Sequence, residues 1–214
     1  MTDRVHTLFL RFRPKIIPNT SGGLIHMAIK VYIDQGHNPV NPNAGAEGNG
    51  LREQDLVYRI GIELSNLLRS NGNFEVRLSR PTATTQVGTS NTTSLRARVD
   101  DANSWGADYF ISLHTNASEI ASATGSEALV YSSPSVAASL GEDILYWLNR
   151  ETGLQNRGVR LRPGLYVLRK TQMPAVLVEL GFITNANDAR LMNTRPELFA
   201  EGVYNGILDY LNLL

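Results

Sequence analysis

The sequence contains no cysteine. Disulfides and thiolate metal centres are therefore excluded, and any metal must be held by histidines and carboxylates. It also carries no net charge, with Lys+Arg and Asp+Glu both at 20. Without a basic run or a positive balance, nothing in it suits a nucleic-acid backbone or an anionic membrane surface. No stretch is long and apolar enough to cross a bilayer. The segment Thr7-Leu8-Phe9-Leu10-Arg11-Phe12-Arg13 is too short, and too interrupted by arginine, for a signal-peptide core. Histidine is scarce, four in 214 residues, so the place of each is informative.

What is present is ordinary for a globular chain: 42% hydrophobic and 19% charged residues, and a length sufficient for one substantial core. Residues 1–27 stand apart. They are basic at first, then run through Pro18-Asn19-Thr20-Ser21-Gly22-Gly23 with neither a helical nor a strand period. They are expected to be an irregular leader, either an extension ahead of a natural start at Met27, mis-called or added in cloning, or a disordered N-terminal arm. Residues 28–214 are expected to form a single domain.

Within that domain, apolar runs and amphipathic stretches alternate. Ala28-Ile29-Lys30-Val31-Tyr32-Ile33 reads as a buried strand, and residues 38–50 as a long Asn/Pro/Gly loop of the kind that is usually functional. Leu56, Ile60, Leu64, Leu67 and Leu68 recur at helical spacing over 51–70. Asn71-Gly72-Asn73 closes that helix. Strands are expected at 74–78, 108–114, 127–131, 165–168 and 175–179, and helices at 95–105 and 135–151. Residues 153–164 read as a basic loop. A last helix is opened by Thr194-Arg195-Pro196-Glu197, read as a Thr-x-x-Glu capping box with proline in the first turn. This alternation predicts a three-layer α/β sandwich, a twisted, mostly parallel or mixed sheet flanked by helices.

Two of the four histidines follow strands: His37, in Ile33-Asp34-Gln35-Gly36-His37-Asn38, and His114, in Ile111-Ser112-Leu113-His114. The carboxyl ends of strands are where open α/β sheets place their ligands, and Gly36 is read as freeing the backbone before His37. A lone histidine there is ordinarily structural, but a pair at equivalent positions points to a site. A catalytic zinc commonly takes three protein ligands and leaves one position open. Glu53, at the start of the first helix, could supply the third, with Asp34 and Glu47 as competitors. Asp34 could instead orient a ligand histidine through its other ring nitrogen. Glu179 directly follows Ala175-Val176-Leu177-Val178, where a charge is costly unless it is paired or used.

At this point four motifs, in order over residues 28–213, resemble the zinc-dependent N-acetylmuramoyl-L-alanine amidases of the amidase-3 class. They are Ile33-Asp34-Gln35-Gly36-His37, Leu51-Arg52-Glu53, Ser112-Leu113-His114-Thr115-Asn116-Ala117, and the run from Pro174 through Glu179 to Asn185. Asn38 departs from the pattern, in which glycine often follows the first histidine. The resemblance implies a zinc hydrolase that cleaves the amide between N-acetylmuramic acid and L-alanine in peptidoglycan. It makes His37, Glu53 and His114 the zinc ligands and Glu179 the catalytic carboxylate, with Asn116 and Arg80 lining the cleft. Some relatives plug their cleft with an inserted helix, and residues 117–124 are too few for one, so an open cleft is expected. The expected place of action is the bacterial cell wall, reached by lysis or with a holin because no signal peptide is visible. Neither nucleic acid nor membrane insertion is expected, while a separate wall-targeting or regulatory protein is. The competing readings are a zinc carboxypeptidase acting on stem peptides and a catalytically inactive peptidoglycan-binding module.

Overall fold

The computed structural model describes residues 16–18 and 24–214. The expected leader, residues 1–27, lies mostly outside the described residues. Within it, β1 (Ile16–Pro18) and β2 (Leu24–His26) pair antiparallel, a pairing that the leader's lack of period did not announce. The chain then runs through β3 (Ile29–Gln35), a small hairpin of β4 (Glu47–Gly48) and β5 (Leu51–Arg52), α1 (Glu53–Ser70), β6 (Phe74–Leu78) and α2 (Asn91–Trp105). It continues through β7 (Tyr109–Asn116), β8 (Ser126–Val130), α3 (Val136–Thr152), β9 (Asn156–Leu161), α4 (Tyr166–Lys170), β10 (Ala175–Phe182), α5 (Ala186–Thr194) and α6 (Pro196–Leu211).

Six strands form one mixed sheet in the order β6-β3-β7-β10-β8-β9. All neighbours are parallel except β10 and β8, which run antiparallel. One face carries Val31, Ile33, Ile111, Leu113, Val176 and Val178 against the apolar faces of α1, α3 and α6. The other carries Tyr32, Phe110, Leu129 and Leu177 against Val99 and Ala102 of α2 and Val167 and Leu168 of α4. This is the expected sandwich. Among the described residues no helix is long and apolar enough to cross a membrane.

The second face positions the site. Side chains alternate along a strand, so residues two apart share a face. Two residues beyond Tyr32, Phe110 and Leu177 stand Asp34, Ser112 and Glu179, and His114 follows Ser112 by two more. On antiparallel β8 the same step from Leu129 leads to Glu127. The apolar layer under α2 and α4 thus gives way to a polar row at the carboxyl ends of the parallel strands.

Four expectations are corrected. Leu51 and Arg52 pair with β4, so α1 begins at Glu53. The basic loop at 153–164 contains β9, an edge strand parallel to β8, whose charges and left-handed Gly158 (φ 83°) suit an edge. The strand expected at 165–168 is the short helix α4; four apolar residues do not distinguish the two by period. Thr194 does not cap α6. It ends α5, where its hydroxyl donates to the Arg190 carbonyl (2.8 Å), and the Glu197 carboxylate takes the Arg195 guanidinium instead. α5 went unread, although Asn185 caps it by accepting from the Asn187 and Asp188 nitrogens.

Candidate metal centre and active site

β3 ends at Gln35, and the Gly36 nitrogen then bonds the Leu113 carbonyl (3.0 Å), keeping the turn against β7. His37 itself, and not Gly36, has the left-handed backbone, with φ 64°. The need for glycine at 36 is steric: a Cβ there would lie 2.6 Å from the His114 ring. The expectation that Gly36 frees the backbone is therefore corrected.

Glu53 opens α1 and is 3% exposed. Its Oε1 accepts from the Thr115 nitrogen (2.9 Å) and its Oε2 from the Ala46 nitrogen (2.9 Å). The same oxygens face the histidines, with His114 Nδ1 3.0 Å from Oε1 and His37 Nε2 3.2 Å from Oε2. Burial alone would raise the Glu53 carboxyl, but hydrogen bonds from His114 and His37, together with their charges, hold it well below the usual carboxylate range. Burial pulls His114 down, and the bond and charge of Glu53, with Glu179 and Asp34 behind, outweigh it and push the imidazole up.

A metal ion fits this donor set. One ligand atom from each of the three residues lies within 4.8 Å of the others. Two atoms bonded to a tetrahedral zinc at 2.0–2.1 Å are about 3.3 Å apart; each histidine lies near that distance from one Glu53 oxygen, 3.0 Å for His114 and 3.2 Å for His37, while the full donor set spans up to 4.8 Å. The loop backbone closes over the cluster, since a Cβ on Gly45 would meet Glu53 Oε2 at 2.8 Å and His37 Cδ2 at 2.9 Å. His37 Nδ1 is buried without a partner. The two alternative carboxylates stand elsewhere. Glu47 is exposed on β4. Asp34 is buried, accepts from Ser112 Oγ (2.8 Å) and pairs with Arg98 (2.5 Å), so it touches neither ring.

Glu179 is opposite His114 in the β7–β10 register and opposite Glu127 in the β10–β8 register. Its Oε2 is buried with no hydrogen-bond partner. Burial pushes the carboxyl up to about 7; His114 opposes the rise, and the nearby charges of Glu53 and Glu127 add to it. Glu127 was not singled out from the sequence, because a strand-leading glutamate is unremarkable until the register sets it beside Glu179. Asn116 Nδ2 donates to Glu127 Oε1 (3.0 Å), its Oδ1 accepts from the Ala117 nitrogen (2.9 Å), and Arg157 Nε lies 3.5 Å from Glu127 Oε2. The Asn116 amide is thus engaged within the site's own wall. Arg80 is only 1% exposed: its guanidinium bonds the Gln54 (2.9 Å) and Ala83 (3.2 Å) carbonyls and lies 5.2 Å from the Tyr58 ring centre. It supports the start of α1 from behind, which is a correction to its expected place on the cleft wall.

The departure at Asn38 has a local reason. Asn38 is fully buried; its Nδ2 donates to the Pro42 (2.9 Å) and Val87 (3.0 Å) carbonyls, and its Oδ1 accepts from the Val87 nitrogen (3.0 Å). One side chain joins the loop after β3 to the loop after β6. The connection between β7 and β8 contains no helix, and the His37 and His114 side chains are each 20% exposed.

Chemically, this arrangement can hold a divalent ion and move a proton beside it, the capability of a metal-dependent hydrolase. Comparison with known proteins gives the class a family. Residues 31–209 match the family model Amidase_3, N-acetylmuramoyl-L-alanine amidase, and the chain belongs to that family. It is 35% identical over 189 residues to the N-acetylmuramoyl-L-alanine amidase CwlM of Bacillus licheniformis, covering 86% of this chain and 70% of the relative. Among solved structures, the N-acetylmuramoyl-L-alanine amidase from Clostridium difficile 630 superposes with a TM-score of 0.77 at 29% identity, covering 86% of this chain and 97% of that one. The CwlD amidase from Clostridioides difficile, in complex with the GerS lipoprotein, gives 0.79 at 26% identity, covering 87% and 100%.

Proposed function

We propose that this chain hydrolyses the amide between N-acetylmuramic acid and L-alanine in peptidoglycan, with zinc held by His37, Glu53 and His114 and with Glu179 as the proton-transferring group. The observation that carries this reading is Glu179, an unpartnered carboxyl across from His114, raised to about 7 in the polar row that also contains that donor. When bound, zinc supplies Lewis acidity, polarising a carbonyl and bringing the acidity of water near neutrality. The protein's own residues do the rest. Ionised Glu179 takes a proton from the attacking water and returns it to the alanine nitrogen, which cannot leave as an anion. A carboxyl poised near 7 serves both directions of transfer at neutral pH. The Thr115 and Ala46 nitrogens fix both Glu53 oxygens, so the buried carboxylate keeps its aim at the two rings. Asn116 and Arg157 hold Glu127 and with it the wall beside Glu179.

The proposed site of action is the bacterial cell wall, with an open cleft and with targeting supplied by a separate protein. The partnered CwlD neighbour is compatible with such an arrangement. The test is digestion of purified peptidoglycan with and without a chelator, followed by mass spectrometry of the products. Stem peptides beginning with L-alanine, lost on chelation and restored by zinc, are expected. Peptides trimmed from the carboxyl end point to a carboxypeptidase, and zinc binding without any product points to an inactive binding module.

A further inference from the structure

His37 occupies the left-handed backbone region, which is unfavourable for a residue with a side chain, so something must hold it there. The carbonyls on either side of the turn converge on a single guanidinium. Arg98, on α2, donates from Nη1 to the Gln35 carbonyl (2.7 Å) and from Nη2 to the His37 carbonyl (2.5 Å). The same fork reaches Asp34 Oδ1 (2.5 Å), Ser79 Oγ (3.1 Å) and Asn38 Oδ1 (3.3 Å), and Nε reaches Ser94 Oγ (3.4 Å). Arg98 is 2% exposed and Asp34 1%. Ser112 on β7, two residues before His114, fixes the other Asp34 oxygen.

We propose that Arg98, neutralised by Asp34, is the positioning residue that sets His37 for metal binding by gripping the backbone of its turn. The inference rests on the reading of His37 as a zinc ligand. Asp34 then serves the histidine, as the sequence suggested, but through Arg98 and the His37 carbonyl and not through a ring nitrogen. The planar fork is essential, because only a guanidinium presents several donors in fixed directions; a lysine ammonium is a point charge on a flexible stem. The pair also differs from ordinary core. Replacing both members of a buried ion pair removes both charges together, whereas removing one member leaves a buried charge unpaired, which is the more damaging change. Folding and metal binding can therefore be separated.

The test compares the full chain with Arg98→Lys, with the double variant Arg98→Met/Asp34→Asn, and with His37→Ala. Zinc affinity is read by competition with a chromophoric chelator. The visible spectrum of the cobalt-loaded protein and the thermal midpoint without metal are read alongside. Both Arg98 variants are expected to bind zinc 10- to 100-fold more weakly, the range typical of lost supports behind metal ligands, and to show an altered cobalt spectrum. The metal-free midpoint of the double variant should fall, because the Gln35 and His37 carbonyls lose their donor, but the protein should remain folded. Unchanged zinc affinity in a folded Arg98 variant, with zinc lost in His37→Ala, overturns this proposal alone. Zinc affinity unchanged by His37→Ala overturns the metal reading beneath it. Loss of folding in both Arg98 variants also overturns the proposal, making Arg98 a residue of the core and not of the site.

Discussion

Replacing Glu179 by glutamine separates what this residue does for chemistry from what it costs the fold. In the folded protein its carboxyl is raised from an ordinary 4.5 to about 7, with burial as the first cause. The folded state therefore binds the proton more tightly than the unfolded chain, and stability falls as pH rises between these values. Below pH 4.5 the carboxyl is neutral in both states and costs nothing by this route. Above pH 7 it is ionised in both, and the cost is complete. The rise from 4.5 to about 7, at about 1.4 kcal/mol for each tenfold in proton affinity, gives on the order of 3 kcal/mol. Glutamine keeps the shape and never ionises. In chelator, where only the protein's own groups act on position 179, Glu179→Gln should be more stable than the parent at pH 8 by up to about that amount. The gain should shrink through pH 6 and vanish by pH 4. Urea unfolding midpoints at the three pH values measure it. A stability difference independent of pH would refute the argument that position 179 carries an uncompensated buried charge. With zinc restored, the same variant should keep the metal and lose a factor of about 10²–10⁴ in amide hydrolysis; near-parental turnover would remove Glu179 from the chemistry.

The neighbouring positions make narrower predictions. Gly45→Ala sets a methyl against Glu53 Oε2 and His37 Cδ2, so zinc affinity should fall about tenfold or more in a competition titration, a loss that a lone surface glycine would not produce. Glu127→Gln removes a like charge from beside Glu179, so that carboxyl should ionise at lower pH, and the pH-dependent stability loss should be smaller and complete at a lower pH in the same urea series. Gly206→Ala on α6 brings a Cβ to 2.7 Å from the Ile144 backbone nitrogen on α3, where neither helix can yield cheaply. Overpacking there should cost about 1–3 kcal/mol in urea unfolding while sparing hydrolysis per folded molecule, because α3 and α6 pack on the sheet face away from the site.

The fold was legible wherever a single segment declared its own partner face. β3, β7 and β10 are apolar runs with one polar exit each, and α1, α3 and α6 carry their stripes at helical spacing, so the three-layer order followed from the chain alone. The donors were legible for the same reason: His37 and His114 stand at strand ends and Glu53 opens a helix, positions marked by local sequence. What escaped was set by partners distant in the chain. β9 looks like loop because its arginines and Gly158 suit an edge, and only the register with β8 makes it a strand. Thr194 resembled a cap because the eight residues before it were not seen to be a helix that it ends. Neither Glu127 nor Arg98 stands out in the sequence. A buried ion pair is invisible residue by residue, since each half alone belongs in water; Asp34 and Arg98 are 64 positions apart and become one object only when α2 packs over β3. The pattern of faces is written locally and the pairing of charges is not, so the groups that point into the site are legible in the sequence, while of the groups that aim them only Asp34 is.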